Sequence, residues 1–346
     1  MLKCPALFTL IGICLMSTST ATAAGGESIS GPVAIVIHGG AGTITRDRMT
    51  PELEAAYTEM LTLAVTRGHE RLKAGGSARE AVIAAITVME DSDLFNAGRG
   101  AVFTHEGRVE LDASIMDGRD LNAGAIAGVT RIKNPITLAN AVLEGSPHVM
   151  LVGEGAEAFA AEAGFEFVPN TYFQTERRRL QLERVKAENQ PRAELSEDGD
   201  MRSALLDKKL GTVGAVAMDA QGTIAAGTST GGMTNKRFGR VGDSPIIGAG
   251  TYAENGVCGI SATGHGEYFI RAAVAHDICA RVAYQKVSLQ QAADAVVQGK
   301  LVEMGADGGI IGLDGKGEVV YSFNSAGMYR ASVDVKGVLR VGIYKD

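Results

Sequence analysis

GTVGAVAMDAQGTIAAGTSTGGMTNKRFGRVGDSPIIGAGTY, residues 211–252, marks an abrupt change of texture along the chain. Immediately before it, QTERRRLQLERVKAENQPRAELSEDGDMRSALLDKKL (174–210) is densely charged and lacks aromatics. Its first part has a helical pattern, whereas the part around Gln190–Asp200 has the composition of a mobile linker, placed here at about residues 185–211. After it, runs of small apolar residues alternate with Gly, Ser and Thr, the signature of short buried strands between tight turns. Gly211-Thr212 sits at the junction, with Val213–Met218 expected as a strand and Thr223–Gly227 as the next.

A linker normally separates domains, but neither flank is self-sufficient. On the N-terminal side, strands are expected at Val33–Ile37, Ala101–Thr104, Val109–Met116 and Ala123–Val129. Helices are expected at Pro51–Lys73, from Ser77 to Glu90, near Leu138–Leu143 and at Gly153–Ala163. Ser77 with Glu80 reads as a capping box. On the C-terminal side, strands at Ile246–Thr251, Val257–Thr263, Gly309–Leu313, Val319–Phe323 and Val338–Tyr344 surround helices at Glu267–Tyr284 and from Ser288 to Met304. Ser288 and Gln291 form a second capping box. Strands followed by paired helices, then strands again, imply sheets covered by helix layers and not an alternating βαβ sheet.

The chain has 346 residues, 45% of them apolar, with 45 glycines and only 8 prolines. A formal charge of −7 argues against nucleic acid or an anionic membrane as a general partner. The basic triplet Arg177-Arg178-Arg179 lies among glutamates and reads as a solvated helix face. Residues 1–23 have a short basic start at Lys3, an apolar run over Ala6–Met16 and the small-residue step Ala21-Thr22-Ala23. That is the pattern of a secretory signal peptide, too short to span a bilayer, and implies a periplasmic or secreted protein with no membrane anchor. Cys4 and Cys14 would leave with it. Cys258 and Cys279 remain, either as a disulfide or as two buried thiols, and no CxxC or Cys/His pattern suits zinc.

The residues alone bear on four chemistries. Gly227-Thr228-Ser229-Thr230-Gly231 matches the GxSxG nucleophile elbow, which requires a strand leading in and a helix leading out; what leads out here is glycine-rich and aperiodic. Gly153-Glu154-Gly155 and Gly248-Ala249-Gly250 lack the third glycine and the βαβ context of a dinucleotide site. The six histidines are dispersed, without a metal-ligand pair, although His38 and His265 adjoin glycine turns and could line a pocket. A threonine hydroxyl needs a base, and its own α-amino group, with an ordinary pKa of about 7.7–8.0, serves if cleavage makes the residue N-terminal. Thr212 has the right setting, at the end of a linker and the start of a buried strand, although a plain glycine turn fits the same pattern.

The motifs HGGAG (38–42), LFNAGRGAVFT (94–104), ELDASIMDG (110–118), AGAIAGV (123–129), NPITLA (134–139), SPHVMLVGEGAE (146–157), GTVGAV (211–216), TSTGGMTNK (228–236), GRVGDSPIIGAG (239–250) and TGHGE (263–267) occur in order. Together they resemble the plant-type L-asparaginase/isoaspartyl peptidase family of N-terminal nucleophile hydrolases, from about Val33 to Tyr344. The resemblance implies a four-layer αββα sandwich, with an α subunit (24–211) and a β subunit (212–346) produced by autocatalytic cleavage between Gly211 and Thr212, associating as an (αβ)2 heterotetramer. It implies that Thr212 is the nucleophile, that Thr230 supports it, and that Thr263 and Gly264 form the oxyanion hole. Arg240 and Asp243 would grip the α-carboxylate and α-ammonium of L-asparagine or an isoaspartyl dipeptide, with Gly266 and Asn96 alongside. No organic cofactor is implied. A structural sodium or potassium ion would be held by the backbone of Met89, Glu90, Ser92, Phe95, Ala97 and Arg99. His265 and Arg99 occupy positions these motifs leave open. The competing readings are a serine hydrolase acting through Ser229 and a binding protein that captures amino acids with Arg240 and Asp243 without turnover.

Overall fold

Strand β1, Ala34–Gly42, is buried along its whole length and lies in the middle of a sheet whose other strands come from both flanks of the linker. The computed structural model describes residues 31–188 and 211–345, together with Met1. The expected signal peptide, Cys4 and Cys14, and most of the expected linker lie outside the described residues.

The remaining strands are β2 Leu111–Asp117, β3 Ala123–Val129, β4 Met150–Val152, β5 Val213–Met218, β6 Ile224–Thr230, β7 Thr251–Glu254, β8 Cys258–Gly264, β9 Gly308–Asp314, β10 Val319–Phe323, β11 Gly327–Val333 and β12 Leu339–Tyr344. Eight form one sheet in the order β12-β11-β1-β5-β6-β2-β3-β4, and four form a second in the order β10-β9-β8-β7. All pairings are antiparallel except β3 with β4. Because β1 is hydrogen-bonded between β11 and β5, residues before and after the linker share one sheet. Neither flank can form that sheet alone.

Strand alternation divides the side chains into layers. Ile35 and Ile37 of β1 and Val213, Ala215 and Ala217 of β5 pack with the helices α1 (Pro51–Lys73), α2 (Ala78–Glu90) and α3 (Pro135–Gly145). Their neighbours Ala34, Val36, Val216 and Met218 face Ile311 and Leu313 of the second sheet. That sheet's far face, with Ile260, Ala262 and Ile310, is covered by helical residues including Ala275, Ile278, Ala292 and Val296. The result is the expected αββα sandwich. Both capping boxes are present, at Ser77/Glu80 and Ser288/Gln291. The remaining helices are α4 (Gly153–Glu162), α5 (Glu176–Glu188), α6 (Gly266–Ala272), α7 (Val274–Ala280), α8 (Leu289–Asp294) and α9 (Leu301–Glu303), the last two joined by wide helical turns.

Several expectations require correction. The helix expected at Glu267–Tyr284 is broken at Ala273, whose φ of 49° places it in the left-handed region. Ile246–Gly250 is a turn, closed by the Ala249 and Gly250 N–H groups on the Ile246 carbonyl, so the strand begins only at Thr251. Ala101–Thr104 contributes only two isolated bridges, Phe103 to Val109 and Thr104 to Lys236. Strand β11 was not foreseen. In the basic triplet, Arg178 is buried and donates to the Gly100 carbonyl and Gln181, while Arg177 and Arg179 face outward. Cys258 and Cys279 form a disulfide, fastening α7 to β8.

Candidate active site

The parity that builds the layers also sorts the hydroxyl residues. On β6, Gly227 faces Val82, Ile86 and Ile136 of the helix layer, so Thr228 and Thr230 face the gap between the sheets and Ser229 faces the helices. On β8, Gly259 faces Val216 and Ile224 across the gap, so Ser261 and Thr263 face it as well. Thr212, immediately before β5, is on that same side by parity. Thr212, Thr230 and Thr263 therefore all face the gap between the sheets.

Their geometry is specific. The Thr212 hydroxyl donates to Thr230 Oγ1 at 3.1 Å, and Thr230 Oγ1 also accepts the Gly232 N–H at 3.0 Å. Thr263 Oγ1 accepts the Ala41 N–H at 3.3 Å, tying β8 to the HGGAG turn. Asn96 braces the surroundings: its amide donates to the Gly232 carbonyl at 2.8 Å, its side-chain oxygen accepts Val102 N–H at 2.9 Å, and its own carbonyl accepts Gly231 N–H. Gly211, at φ 84°, lies beside Asn96 and against Gly40, at φ 111°, where a side chain would collide with the Gly211 backbone. The Gly211-Thr212 step is thus bent and closely packed on its N-terminal side.

Arg240 and Asp243 meet over Gly266. A Cβ added at Gly266 would lie 2.9 Å from both Arg240 Nη2 and Asp243 Oδ1, so glycine keeps that space open. Gly232 leads from Thr230 to Arg240, a Cβ there lying 3.5 Å from Nη1. Glu267 grips the guanidinium at Nε (2.9 Å) and Nη2 (3.0 Å), a two-point contact that leaves Nη1 for another anion. Glu267 is held well below the usual carboxylate range by His265 and, after the opposing effect of burial, by Arg240. His265, one of the two positions left open, thus orients Glu267 at 3.2 Å. Asp243 is buried, its Oδ2 has no partner, and burial pushes its carboxyl up to about 7 against the opposing pull of Arg240. A buried carboxyl that is short of a cation, beside a guanidinium with a free edge, suits a ligand bearing both an ammonium and a carboxylate.

Ser229 does not join this group. It is fully buried and donates to Glu90 Oε1 at 2.7 Å on the helix side, which leaves the elbow reading without an accessible nucleophile. Two partnerships escaped the sequence: Glu267 with Arg240, and a hydroxyl network behind Thr212 that involves His38. The recurrence of Thr228/Thr230 and Ser261/Thr263 at alternate strand positions was a usable signal for the second. Asp112, the strand partner of Thr230, is also buried, and its carboxyl is raised by burial despite the nearby Lys236. Among the described residues no helix is long and apolar enough to cross a membrane, and no His/Cys/Asp/Glu cluster suits a metal.

This architecture, with threonines gathered beside an Arg/Asp pair, is that of an amide-hydrolase fold. The family model for asparaginase matches residues 31–343, and the chain belongs to that family. The chain is 48% identical over 318 residues to an isoaspartyl peptidase of Escherichia coli (strain K12), a match covering 91% of this chain and 97% of that protein. It is 42% identical over 313 residues to an isoaspartyl peptidase/L-asparaginase of Bos taurus, covering 90% and 96% respectively. A rat isoaspartyl peptidase/L-asparaginase is 40% identical over 316 residues, covering 91% of this chain and 90% of its own.

Proposed function

We propose that the chain is a self-processing threonine amidohydrolase that cleaves isoaspartyl dipeptides and L-asparagine and releases L-aspartate. The observation that carries this reading is the 3.1 Å contact between the hydroxyls of Thr212 and Thr230, immediately before a buried strand and next to a bent Gly211. In the precursor, Thr212 Oγ1 attacks the Gly211 carbonyl and the acyl group shifts from nitrogen to oxygen. Water then hydrolyses the ester, leaving a free α-amine on Thr212. In turnover that amine takes the Thr212 hydroxyl proton as Oγ1 attacks the substrate's side-chain carbonyl, then delivers it to the leaving amine. Thr263 and Gly264 stabilise the oxyanion, while Arg240 Nη1 and Asp243 hold the α-carboxylate and α-ammonium. Water releases aspartate and restores the hydroxyl.

The same reading includes export guided by residues 1–23, assembly as a heterotetramer, and an alkali cation in the loop after α2. The loop's chemistry supports the cation. The carbonyls of Ser92, Phe95, Ala97 and Arg99 receive no N–H or O–H donor among the described residues, although Ser92, Phe95 and Ala97 are buried. Buried carbonyls without donors suit a hard cation. The Glu90 carbonyl accepts the Arg99 N–H at 2.7 Å and keeps a second lone pair, whereas that of Met89 already receives the Ser92 N–H at 3.3 Å and the Asp91 N–H. The ion's contribution would be to hold Asn96 in place.

The test is a denaturing gel with intact-mass measurement, alongside turnover of L-asparagine and an isoaspartyl dipeptide. Wild-type protein is expected as two fragments divided before Thr212, and Thr212→Ala as one inactive chain. A whole and active wild type, or a normally cut Thr212→Ala, refutes the proposal. Binding without turnover by wild type would favour an amino-acid-binding protein instead.

A further inference from the structure

The carbonyl of Thr212 lies where the strand ladder has run out. Pairing of β5 with β1 ends at Gly214 opposite His38, and pairing with β6 ends at Val213 opposite Ser229. A register shift between His38 and Gly40, seen in the pairing with β11, coincides with the end of the β1–β5 ladder, and beyond it Gly40 packs against Gly211 without a ladder pair. A side chain takes the place of the missing ladder bond: His38 Nδ1 lies 3.0 Å from the Thr212 carbonyl oxygen. Because that oxygen can only accept, Nδ1 carries the proton and Nε2 is left as an acceptor.

Nε2 lies 2.9 Å from Ser261 Oγ, which must therefore donate to it. Behind Ser261 the hydroxyls continue to Thr228 at 2.7 Å, from Thr228 to Thr251 at 2.6 Å, and from Thr251 to Ser114 at 2.8 Å. With one proton per hydroxyl, the bonds from Thr251 through Thr228, Ser261 and His38 can all be oriented toward Thr212, while the single proton of Ser114 is shared between Thr251 at 2.8 Å and the Ser244 carbonyl at 2.6 Å. Bonds aligned in this way polarise one another. His38, Ser114, Thr228, Thr251 and Ser261 are all fully buried, and burial holds the imidazole down to about 3, so it stays neutral. Gly214 keeps the passage clear, since a Cβ there would collide with both Ser261 Oγ and His38 Nε2.

Resting on the assignment of Thr212 as nucleophile, we propose that His38 is a positioning residue. Its Nδ1–H, backed at Nε2 by the Ser261–Thr228–Thr251 hydroxyls, clamps the Thr212 carbonyl and so orients the residue's amine and hydroxyl for both self-cleavage and turnover. His38 touches neither substrate nor reacting atoms and moves no proton.

The test compares His38→Asn with His38→Gln. An Asn amide places N–H where Nδ1 stands, two bonds from Cβ, whereas a Gln amide reaches the position of Nε2 and serves Ser261 instead. Asn is expected to cleave and turn over L-asparagine within about tenfold of wild type. Gln, and His38→Ala where it folds, should lose about 100-fold in cleavage rate and kcat, the scale of a small misplacement of reacting groups. KM should stay within about twofold throughout, because Arg240 and Asp243 are untouched. Equal kcat for Asn and Gln in folded protein, or a loss confined to KM, overturns the inference. Thr212→Ala run in parallel separates the two levels. If it retains turnover, the nucleophile assignment has failed; if it is inert while Gln matches wild type, only the role of His38 has.

Discussion

Asp243 offers a quantitative test of whether the site trades stability for recognition. Its carboxyl is lifted from an ordinary value of 3.8 to about 7 by burial, only partly opposed by its own backbone N–H and Arg240. Below the ordinary value both folded and unfolded chains hold the proton and Asp243 contributes nothing. As pH rises above it, the unfolded chain releases the proton and the folded one does not, so stability falls by about 1.4 kcal/mol per pH unit. The loss levels off near pH 7, where the folded carboxyl ionises. The interval of about 3 units corresponds to about 4 kcal/mol, and relaxation of the site places the expected loss at about 2–4 kcal/mol. Asp243→Asn keeps the shape and cannot ionise. Urea unfolding in a Thr212→Ala background, where one chain is expected, should find Asp243→Asn more stable by about 2–4 kcal/mol near pH 8 and no more stable near pH 4. In the otherwise wild-type enzyme the same substitution should raise KM for L-asparagine by about 10–100-fold, because a charged hydrogen bond to the ammonium is lost. A stability difference that does not change with pH, or an Asn variant less stable near pH 8, would refute the reasoning.

Other substitutions separate the parts of the site. Arg240→Lys retains the charge but not the two-point contact with Glu267; steady-state kinetics should show KM raised about 10–100-fold, with cleavage at Gly211-Thr212 unchanged on a gel. Ser229→Ala removes the donor to Glu90 Oε1 inside the helix layer, so chemical denaturation should register a loss of about 1–2 kcal/mol while processing and kcat stay within about twofold. Reducing the Cys258–Cys279 disulfide should cost about 3 kcal/mol of stability in a thermal melt. It should spare kcat, because both sulfurs lie among the helix-facing core residues of the second sheet and not in the gap that holds Thr212.

The elements legible in the sequence were those with local causes. The capping boxes fixed the starts of α2 and α8, and short apolar runs between glycines located β5, β6 and β9. What was missed depended on partners distant in sequence. β11, GMYRASV, has a mixed pattern and acquires strand character by lying between β12 and β1. Ala273 occupies a left-handed position that alanine does not advertise, imposed where the chain bends to pack α7 under β8. Arg178 looked solvent-facing because its neighbours are charged, yet the Gly100 carbonyl and Gln181 receive it in the interior. At the site, Thr212, Thr230, Arg240 and Asp243 were visible through their motifs. Glu267 was not, because it stands 27 residues from Arg240 and only the turn of Gly264–Gly266 brings it back.

Strand parity explains why one hydroxyl in TST meets Thr212 and the one beside it does not. Thr228, Ser229 and Thr230 are all buried, and all have hydrogen-bonding partners. Had β6 been shifted by one residue, Ser229 would face the inter-sheet gap and the two threonines the helices. The register is held by apolar residues on both faces, Ala225 toward the helices and Ile224 and Ala226 toward the second sheet, and by Gly227, which gives Val82, Ile86 and Ile136 room to approach. A larger residue at Gly227 would therefore press on the helix layer while acting on the register that aims Thr230 at Thr212. The residues that choose the neighbour of Thr212 are thus largely core residues with no chemistry of their own. The GxSxG pattern misleads here because it specifies spacing but not which face of the strand the serine occupies.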